Sequence, residues 1–561
     1  MHERKSPVIP DMQCLQYWLA TAALAAGMAV SATAHADART QQVDALFAAW
    51  DKSASPGCSV AVSQDGEIVY ERGYGMADLD HGIANTPTTV FHVASVSKQF
   101  AAAAIVLLAQ DGKLSLDDEA RKYVPELPDF GKRITIRQLV HHVSGLRDQW
   151  ELLGLSGWRY SLDLITDDDV MSLVTRQRAL NFEPGSRYAY SNTGYTLLAQ
   201  IVKRVSGKSF REFTTERMFR PLGMRNTHFR DDHAEVVPNV AYGYEKQGDA
   251  FKLSVTNFDT VGATSLLTTV EDLLLWNENF HTGKVGGPGF TRQMTERGVL
   301  NDGKQIAYAF GLTVGDYRGL PTVGHSGSDA GYRAYLVRFP EQRFGVACTC
   351  NFADTSPQAL SQKIVDIYLA DKLQPVPASE EKFVELPPQE VQGLAGTYLR
   401  RDGNTAERIV WRDGSLGLLS AYDGRVTPLR PLSATRFKVG ERRSYFEFSG
   451  NRLTQTSEYA EEAEIFERTP AATPDAKQLE QYAGTYVSRE IELPYRLKLE
   501  GGQLVLANMK VKGVPLTPLT RDLFEAGDYG SIRFTRSGGR VNGFVVNTGR
   551  VVDFRFDRKG P

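Results

Sequence analysis

The segment Ser95-Val96-Ser97-Lys98 places a hydroxyl group and an amine three positions apart. Residues with this spacing lie on the same face of a helix, so the amine of Lys98 can approach the hydroxyl of Ser95. Serine acts as a nucleophile when a base stands within hydrogen-bond distance. If Ser95 begins the helix, the helix dipole also favours the negative charge that develops there. This pair therefore has the parts needed for nucleophilic catalysis.

The chain after Lys98 indicates a buried helix. Residues 101–108 form an unbroken apolar run inside a predicted helix over 99–109. A helix that is apolar on all sides belongs in a core. A lysine at its start is partly removed from water, which lowers the pKa of the amine and allows it to act as a base.

The same four-residue pattern also occurs at Ser379-Glu380-Glu381-Lys382, where exposed charge argues against catalysis. For Ser95 the structural alternative is a helix N-cap, with Lys98 as a surface residue. The tetrad alone does not separate these interpretations, so other parts of the chain must decide between them.

Tyr190-Ser191-Asn192 is the second element, on a loop that enters a predicted helix over 193–205. A tyrosine hydroxyl held near a cationic lysine can exchange a proton with a serine. The Asn192 amide can hold both Lys98 and a substrate carbonyl. The alternative for Tyr190 is a packed aromatic residue.

A histidine followed two positions later by glycine is the third element, and the chain offers two candidates. His281-Thr282-Gly283 ends a predicted helix, where glycine is an expected cap, so we interpret it as structural. His325-Ser326-Gly327 leads into a predicted strand at a cleft. Gly327 would let a substrate backbone approach, and the N–H groups of Ser95 and Ser328 can form an oxyanion hole. The alternative for His325 is an exposed turn histidine.

Together, Ser95-x-x-Lys98, Tyr190-x-Asn192 and His325-x-Gly327 resemble the penicillin-recognising serine hydrolases, and most of all their class C β-lactamase-like branch. The likeness covers roughly residues 40–372. It extends to neighbouring sequence at Phe91 to Phe100, Leu139 to Leu146, Phe182 to Gly185, Pro221 to Met224 and Gly262 to Asp272.

The resemblance implies an α/β (α+β) catalytic domain, with an antiparallel sheet flanked by helices. It also implies an acyl-enzyme formed on Ser95, with Lys98 and Tyr190 moving the proton. Members that cleave β-lactams or wall peptides usually carry lysine at the position of His325, where its charge binds a carboxylate. Histidine is typical of aminopeptidase and esterase members, which makes antibiotic cleavage less favoured.

Beyond residue 373 the chain repeats itself. Ala395-Gly396-Thr397-Tyr398 recurs as Ala483-Gly484-Thr485-Tyr486, an offset of about 88 residues, and each copy shows short alternating strands. We therefore expect two small antiparallel β-barrels. The predicted divisions are a signal peptide over 1–36, a hydrolase domain over 37–373, a linker over 374–389, a barrel over 390–468, a linker over 469–477 and a barrel over 478–561.

This layout resembles that of D-aminopeptidases, in which a catalytic domain precedes two eight-stranded barrels and the second sends a loop into the active site. Residues 521–529 are our candidate for that loop, with Asp522 or Asp528 contacting a substrate ammonium group. The alternative is that both barrels only pack against the first domain or bind a wall component.

The N-terminus resembles a secretory signal. An apolar, alanine-rich run over 15–30 precedes the small-residue pattern Ala34-His35-Ala36. We expect a periplasmic or secreted protein with no stable membrane span after cleavage; an uncleaved anchor is the alternative. In such a compartment a disulfide from Cys58 is possible.

Composition excludes several partners. A formal net charge of -3 gives no reason to expect nucleic acid binding. No His/Cys cluster has zinc-ligand spacing, and no metal or organic cofactor is implied. The expected partner is a small molecule or short peptide, and an oligomer is possible.

The sequence thus predicts a secreted serine hydrolase that cleaves amide bonds of small D-amino-acid peptides or amides. The alternatives are a promiscuous carboxylesterase and a β-lactamase or penicillin-binding DD-peptidase. A peptide-binding protein with a degenerate hydrolase fold is the non-enzymatic alternative.

Overall fold

The computed structural model describes residues 38–160, 162–375, 381–420, 424–440, 444–457 and 463–560. The predicted signal peptide over 1–36 lies outside these ranges, and so does Ser379 of the second Ser-x-x-Lys pattern. Among the helices in the described ranges, none combines the length and apolar character that a membrane span requires.

A six-stranded antiparallel sheet forms the centre of the N-terminal region, residues 38–373. The turn Asp65-Gly66 joins two of its strands, and both residues have positive φ, as a tight hairpin requires. Cys58–Gln64 pairs with Phe344–Cys350, which confirms a sheet built from both ends of the region. The strand order is Thr313–Tyr317, Leu320–Asp329, Tyr332–Phe339, Phe344–Cys350, Cys58–Gln64 and Glu67–Tyr74.

Helices cover both faces of this sheet. On one face, a helix over 38–47 and the helix Pro357–Tyr368 enclose a core that includes Val62 and Val346. Ala61 and Ala347 point to the other face, which packs against a larger helical layer. Its helices are Lys98–Gln110, Ile136–Val140, Gln149–Leu155, Asp167–Val174, Asn192–Ser206, Phe210–Thr214, Arg220–Leu222, Val270–Thr282 and Phe290–Met294.

Short strands connect these helices. They are Met76–Asp78, Ile83–Ala84, Phe91–His92, Ile165–Thr166, His228–Phe229, Tyr244–Gln247, Ala250–Leu253, Phe258–Asp259 and Leu266–Thr268. Phe91–His92 pairs with Leu266–Thr268, and this pairing brings the loop before residue 266 close to the start of helix Lys98–Gln110.

Cys58 and Cys350 stand opposite each other on adjacent strands and form a disulfide. Cys348, two residues away, is a buried free thiol. The sequence analysis allowed a bridge from Cys58 without naming its partner.

The first barrel, Gly396–Thr469, is a closed sheet of eight antiparallel strands. Part of the linker predicted over 374–389 lies against it, since Glu381 accepts hydrogen bonds from Lys438 and Tyr445 at 2.7 and 2.6 Å. The strands are Gly396–Arg400, Ala406–Arg412, Ser415–Leu419, Val426–Pro431, Arg436–Val439, Ser444–Ser449, Arg452–Ser457 and Glu464–Thr469.

The second barrel, Gly484–Arg558, is nearly closed. Its nine-stranded sheet ends in Val514–Pro515 and Thr517–Pro518, which are neighbours in the chain. Helix Ala476–Glu480 precedes it. The remaining strands are Gly484–Val487, Tyr495–Glu500, Gln503–Ala507, Leu523–Glu525, Ser531–Ser537, Arg540–Asn547 and Phe554–Arg558.

The repeated Ala-Gly-Thr-Tyr segments have the same role in both barrels. Tyr398 is buried, and its hydroxyl donates to the Leu394 carbonyl at 2.8 Å. Tyr486 is buried likewise and donates to the Tyr482 carbonyl at 2.8 Å. The matching geometry supports two copies of one module.

Candidate active site

Ser95 lies in a short 3-10 turn, Ala94–Ser97, immediately before helix Lys98–Gln110. Ala94 has a φ of 48°, in the left-handed region that costs a non-glycine residue roughly 1–2 kcal/mol. Strain of this kind persists where the surrounding structure enforces it, and such positions cluster at active sites. The turn exposes Ser95 to a cavity while the helix behind it is buried.

Lys98 is completely buried, and its amine contacts three oxygen atoms. Nζ lies 3.0 Å from Ser95 Oγ, 2.8 Å from Asn192 Oδ1 and 2.7 Å from the Ala263 carbonyl. A neutral amine has two hydrogens and one lone pair. With both hydrogens donated to Asn192 and Ala263, the lone pair faces the Ser95 hydroxyl.

Burial lowers the pKa of Lys98 to about 7, and Arg550 lowers it further, whereas Asp148 and Asp329 oppose the shift. A base works best when its pKa is near the working pH, because it is then both available and strong enough to take the proton. The geometry and the lowered pKa together allow Lys98 to deprotonate Ser95.

The Tyr190 hydroxyl is buried beside this pair. No described atom lies within normal hydrogen-bond distance of it. Burial raises its pKa, and the nearby Ser95 side chain offsets part of the increase. Lys98 Nζ stands 4.9 Å from the centre of the Tyr190 ring. Because its phenol stays neutral, Tyr190 is suited to relay a proton rather than to act as an anion.

Asn192 is the first residue of helix Asn192–Ser206, and Asp148 fixes its orientation. The backbone N–H and side-chain amide of Asn192 donate to Asp148 Oδ2 at 2.7 and 2.8 Å. This leaves Asn192 Oδ1 turned toward Lys98. Sequence reasoning missed Asp148, whose visible signal is only that of an N-cap for helix Gln149–Leu155.

His142 is a second positioning residue that the sequence analysis missed. Its ring lies 4.2 Å from the Tyr190 ring, centre to centre, and its Nδ1 accepts the Ser191 N–H at 3.1 Å. Burial lowers the pKa of His142, so the ring is neutral and can accept this bond. It therefore holds the loop that presents Tyr190.

His325 lies in strand Leu320–Asp329, and both of its ring nitrogens are engaged. Nε2 is 2.9 Å from the Tyr308 hydroxyl, and Nδ1 is 2.6 Å from the Ser326 carbonyl. The tautomer with hydrogen on Nδ1 satisfies both contacts. Burial and the charge of Lys98 lower the pKa of His325 to about 4. The ring thus offers a substrate neither positive charge nor a spare donor.

Gly327 is required for a different reason from the one predicted. A Cβ atom there would lie 2.2 Å from the Val93 carbonyl oxygen. The glycine therefore lets its strand approach the turn that carries Ser95, and not primarily a substrate backbone. The other candidate, Gly283, ends helix Val270–Thr282 with a φ of 60°, as expected for a structural cap.

Asp329 is a buried carboxyl group at the cavity wall, and the sequence analysis missed it. Its Oδ2 accepts the Thr264 hydroxyl at 2.6 Å. Its Oδ1 is buried without a partner among the described residues. Burial raises the pKa of Asp329 to about 7, and Lys98 partly counteracts this. A buried acceptor without a donor is costly, which points to a ligand that supplies one.

A loop of the second barrel, residues 548–553, reaches the cavity and brings Arg550 to its wall. The loop predicted for this role, 521–529, is elsewhere. Asp522 is bound to Arg536 at 2.8 Å and to Tyr482, and Asp528 lines an adjoining cavity. The second barrel contributes to the site as expected, but through another loop and with a cation instead of a carboxylate.

The cavity measures about 360 Å³, and a larger one of about 710 Å³ adjoins it through Trp150 and Tyr160. The predicted residues Ser95, Tyr190, Asn192, His325, Ser326 and Ser328 all line the smaller cavity. Lys98 lies behind Ser95.

The family model described as Beta-lactamase matches residues 39–369, more than half of the chain. The chain belongs to the Beta-lactamase family. Together with its relatives, this membership identifies a serine hydrolase that acts on amides or peptides. The degenerate, non-enzymatic alternative is therefore not supported.

Several proteins resemble this Beta-lactamase family member. A D-aminopeptidase of Gluconobacter oxydans is 26% identical over 90% of this chain and 96% of its own length. A D-aminopeptidase of Brucella anthropi is 30% identical, but the match spans 58% of this chain and 61% of the relative.

Solved structures share the fold. The octameric penicillin-binding protein homologue from Pyrococcus abyssi is 25% identical, with a TM-score of 0.53 over 73% of this chain and 96% of its own. A D-amino acid amidase from Ochrobactrum anthropi SV3 is 22% identical, with a TM-score of 0.50 over 59% of this chain and 99% of its own.

Proposed function

We propose that this protein hydrolyses amide bonds of small peptides or amides that begin with a D-amino acid, through an acyl-enzyme on Ser95. The hydrolytic machinery is supported by the contacts of Lys98 with Ser95 and Asn192. The preference for D-residues is supported by the full-length likeness to a protein named D-aminopeptidase.

The first half of the reaction follows from the contacts of Lys98. Ser95 Oγ attacks the substrate carbonyl carbon while its proton passes to the lone pair of Lys98. Negative charge then develops on the carbonyl oxygen, and the backbone N–H groups of Ser95 and Ser328 stabilise it. Asn192 holds Lys98 in place and contacts the substrate.

In the second half, the proton reaches the leaving nitrogen through the Tyr190 hydroxyl, and the C–N bond breaks. The amine leaves, and the acyl group remains on Ser95 as an ester. Water, deprotonated by the same groups, then attacks this ester, and the acid is released. Because the ring of His325 is neutral, this residue shapes the site together with Ser326 and Gly327.

The observation that carries the preference for a free amino end is the unpartnered Oδ1 of Asp329. A substrate ammonium group supplies the missing donor, and its positive charge favours the ionised carboxylate. This carboxyl takes the place of Asp522 and Asp528 in the earlier prediction.

We also propose export to an oxidising compartment. The disulfide between Cys58 and Cys350 supports it, because such bonds persist mainly outside the cytosol. The signal-like sequence over 1–36 points the same way.

The test is the release of p-nitroaniline from D-alanine and L-alanine anilides, with N-acetylated D-alanine anilide as the control that lacks an ammonium group. We expect turnover of the free D-anilide only, its loss in Ser95→Ala, and a KM at least about tenfold higher in Asp329→Asn. Equal turnover of both enantiomers, or hydrolysis of p-nitrophenyl acetate alone, would instead identify an esterase.

A further inference from the structure

The loop of residues 548–553 is bound to the N-terminal region by its backbone. The Asn181 side chain donates to the Arg550 carbonyl and accepts the Val552 N–H, both at 2.8 Å. The Glu151 carboxylate accepts the Arg550 N–H at 2.6 Å. The Asp148 N–H also donates to the Arg550 carbonyl, at 3.2 Å. The position of Arg550 is therefore set by contacts that do not involve its own side chain.

The guanidinium group of Arg550 stands over the ring of Tyr190, with Cζ 5.3 Å from the ring centre. Its nearest carboxylate oxygen is Asp148 Oδ2, 4.0 Å from Nη1. That oxygen already accepts two hydrogen bonds from Asn192. With 44% of its side chain exposed, Arg550 keeps donors directed to the cleft.

Arg550 is the one arginine or lysine among the described residues that line the smaller cavity. The ring of His325 is neutral, and Lys98 is enclosed behind Ser95. A substrate anion in this cavity thus has a single cationic partner, and that partner comes from the second barrel.

We propose that Arg550 binds a carboxylate on the leaving part of the substrate, so that the enzyme prefers dipeptides with a free carboxyl end. In the proposed mechanism, Tyr190 protonates the leaving nitrogen, and Arg550 lies over the same ring. The carboxylate of a departing amino acid is two bonds from that nitrogen. A guanidinium group pairs with it through two parallel hydrogen bonds.

The reaction is otherwise unchanged. The bond from the acyl carbon to nitrogen breaks, the amino acid leaves with the proton that Ser95 lost, and water later releases the first amino acid. The dipeptide preference rests on the proposed function, whereas binding of a carboxylate by Arg550 requires only acylation of Ser95.

The first experiment compares D-Ala-D-Ala with D-Ala-D-Ala amide, which differ in one charged group. We expect the full-length wild type to show a kcat/KM about 10- to 100-fold higher for the acid. The ratio falls to near one in Arg550→Gln and is partly retained in Arg550→Lys. Arg540→Gln, which removes an exposed arginine of the same barrel, is the matched control and keeps the wild-type ratio.

The second experiment uses 3-acetoxybenzoate and phenyl acetate, two esters whose leaving groups differ by a carboxylate. If D-peptides are not cleaved but Arg550→Gln lowers the ester ratio, the carboxylate site stands and the D-aminopeptidase proposal fails. If D-peptides are cleaved and Arg550→Gln changes neither ratio, the D-aminopeptidase proposal stands and the carboxylate site is overturned.

Discussion

The two barrels are copies of one module, yet they relate differently to the rest of the protein. The core of the first barrel is separate, whereas that of the second is continuous with the core of the N-terminal region. In the second barrel, Glu490 forms a buried ion pair with Arg147 at 2.6 Å. The residue at the same place in the first barrel, Asp402, forms an exposed pair with Arg400.

This difference teaches that duplication of a module does not duplicate its role. Tyr398 and Tyr486 preserve the module itself, and the contacts at 490 and 548–553 make the second copy part of the active-site wall. The predictions below test this contrast, from the largest expected effect to the smallest.

Glu490→Ala leaves the Arg147 guanidinium buried without its carboxylate. We expect the free energy of unfolding to fall by about 3–5 kcal/mol, since removing one partner of a buried pair is strongly destabilising. The matched Asp402→Ala removes an exposed pair and costs below about 1 kcal/mol. Urea denaturation of both variants measures the difference. Equal losses would show that the barrels are docked alike.

Asn181→Ala removes two hydrogen bonds that hold the loop carrying Arg550. We expect kcat/KM for a dipeptide to fall about tenfold or more, because the guanidinium loses its fixed position. Asn542→Ala, which also loses a hydrogen bond in the second barrel but lies away from this loop, is the control in the same assay. If both variants keep wild-type activity, the loop is not part of the site.

Tyr398→Phe and Tyr486→Phe test the shared module. Each substitution deletes one hydroxyl that donates to a backbone carbonyl four residues earlier. We expect each to lower the free energy of unfolding by about 1 kcal/mol. Thermal denaturation of both variants provides the comparison, and a severalfold difference between them would contradict equivalent barrels.

The pH dependence connects the second barrel to the catalytic lysine. With the pKa of Lys98 lowered to about 7, the amine becomes neutral as pH rises through 7, and hydrolysis should increase over that interval. Arg550 is one cause of the lowered pKa. Arg550→Gln should therefore raise it and move the acidic limb to higher pH by a fraction of a unit. Phenyl acetate is the suitable substrate, because it has no ammonium group to report on Asp329.

Residues that belong to local motifs could be predicted from the sequence. Ser95 with Lys98, and Tyr190 with Asn192, each stand where a helix begins, and short-range spacing reveals them. Hairpin turns and a closing helix likewise predicted the sheet made from both ends of the N-terminal region, which the structure confirms.

Other parts of the site depend on how distant elements dock. Arg550 reaches Tyr190 only because the second barrel packs by one particular end, and no local pattern states which loop that is. Asp329 looks like any strand-end aspartate until its buried, unpaired oxygen is seen. Gly327 could be identified as special, but its reason, the approach of Val93, requires coordinates.

Acylation of Ser95 is the central claim, and mass spectrometry tests it most directly. The protein is mixed with D-alanine p-nitroanilide, quenched in acid during turnover and digested. The account predicts one D-alanyl group on the peptide that contains Ser95, and none in Ser95→Ala. A D-alanyl group on another residue, or turnover that persists in Ser95→Ala, would contradict it.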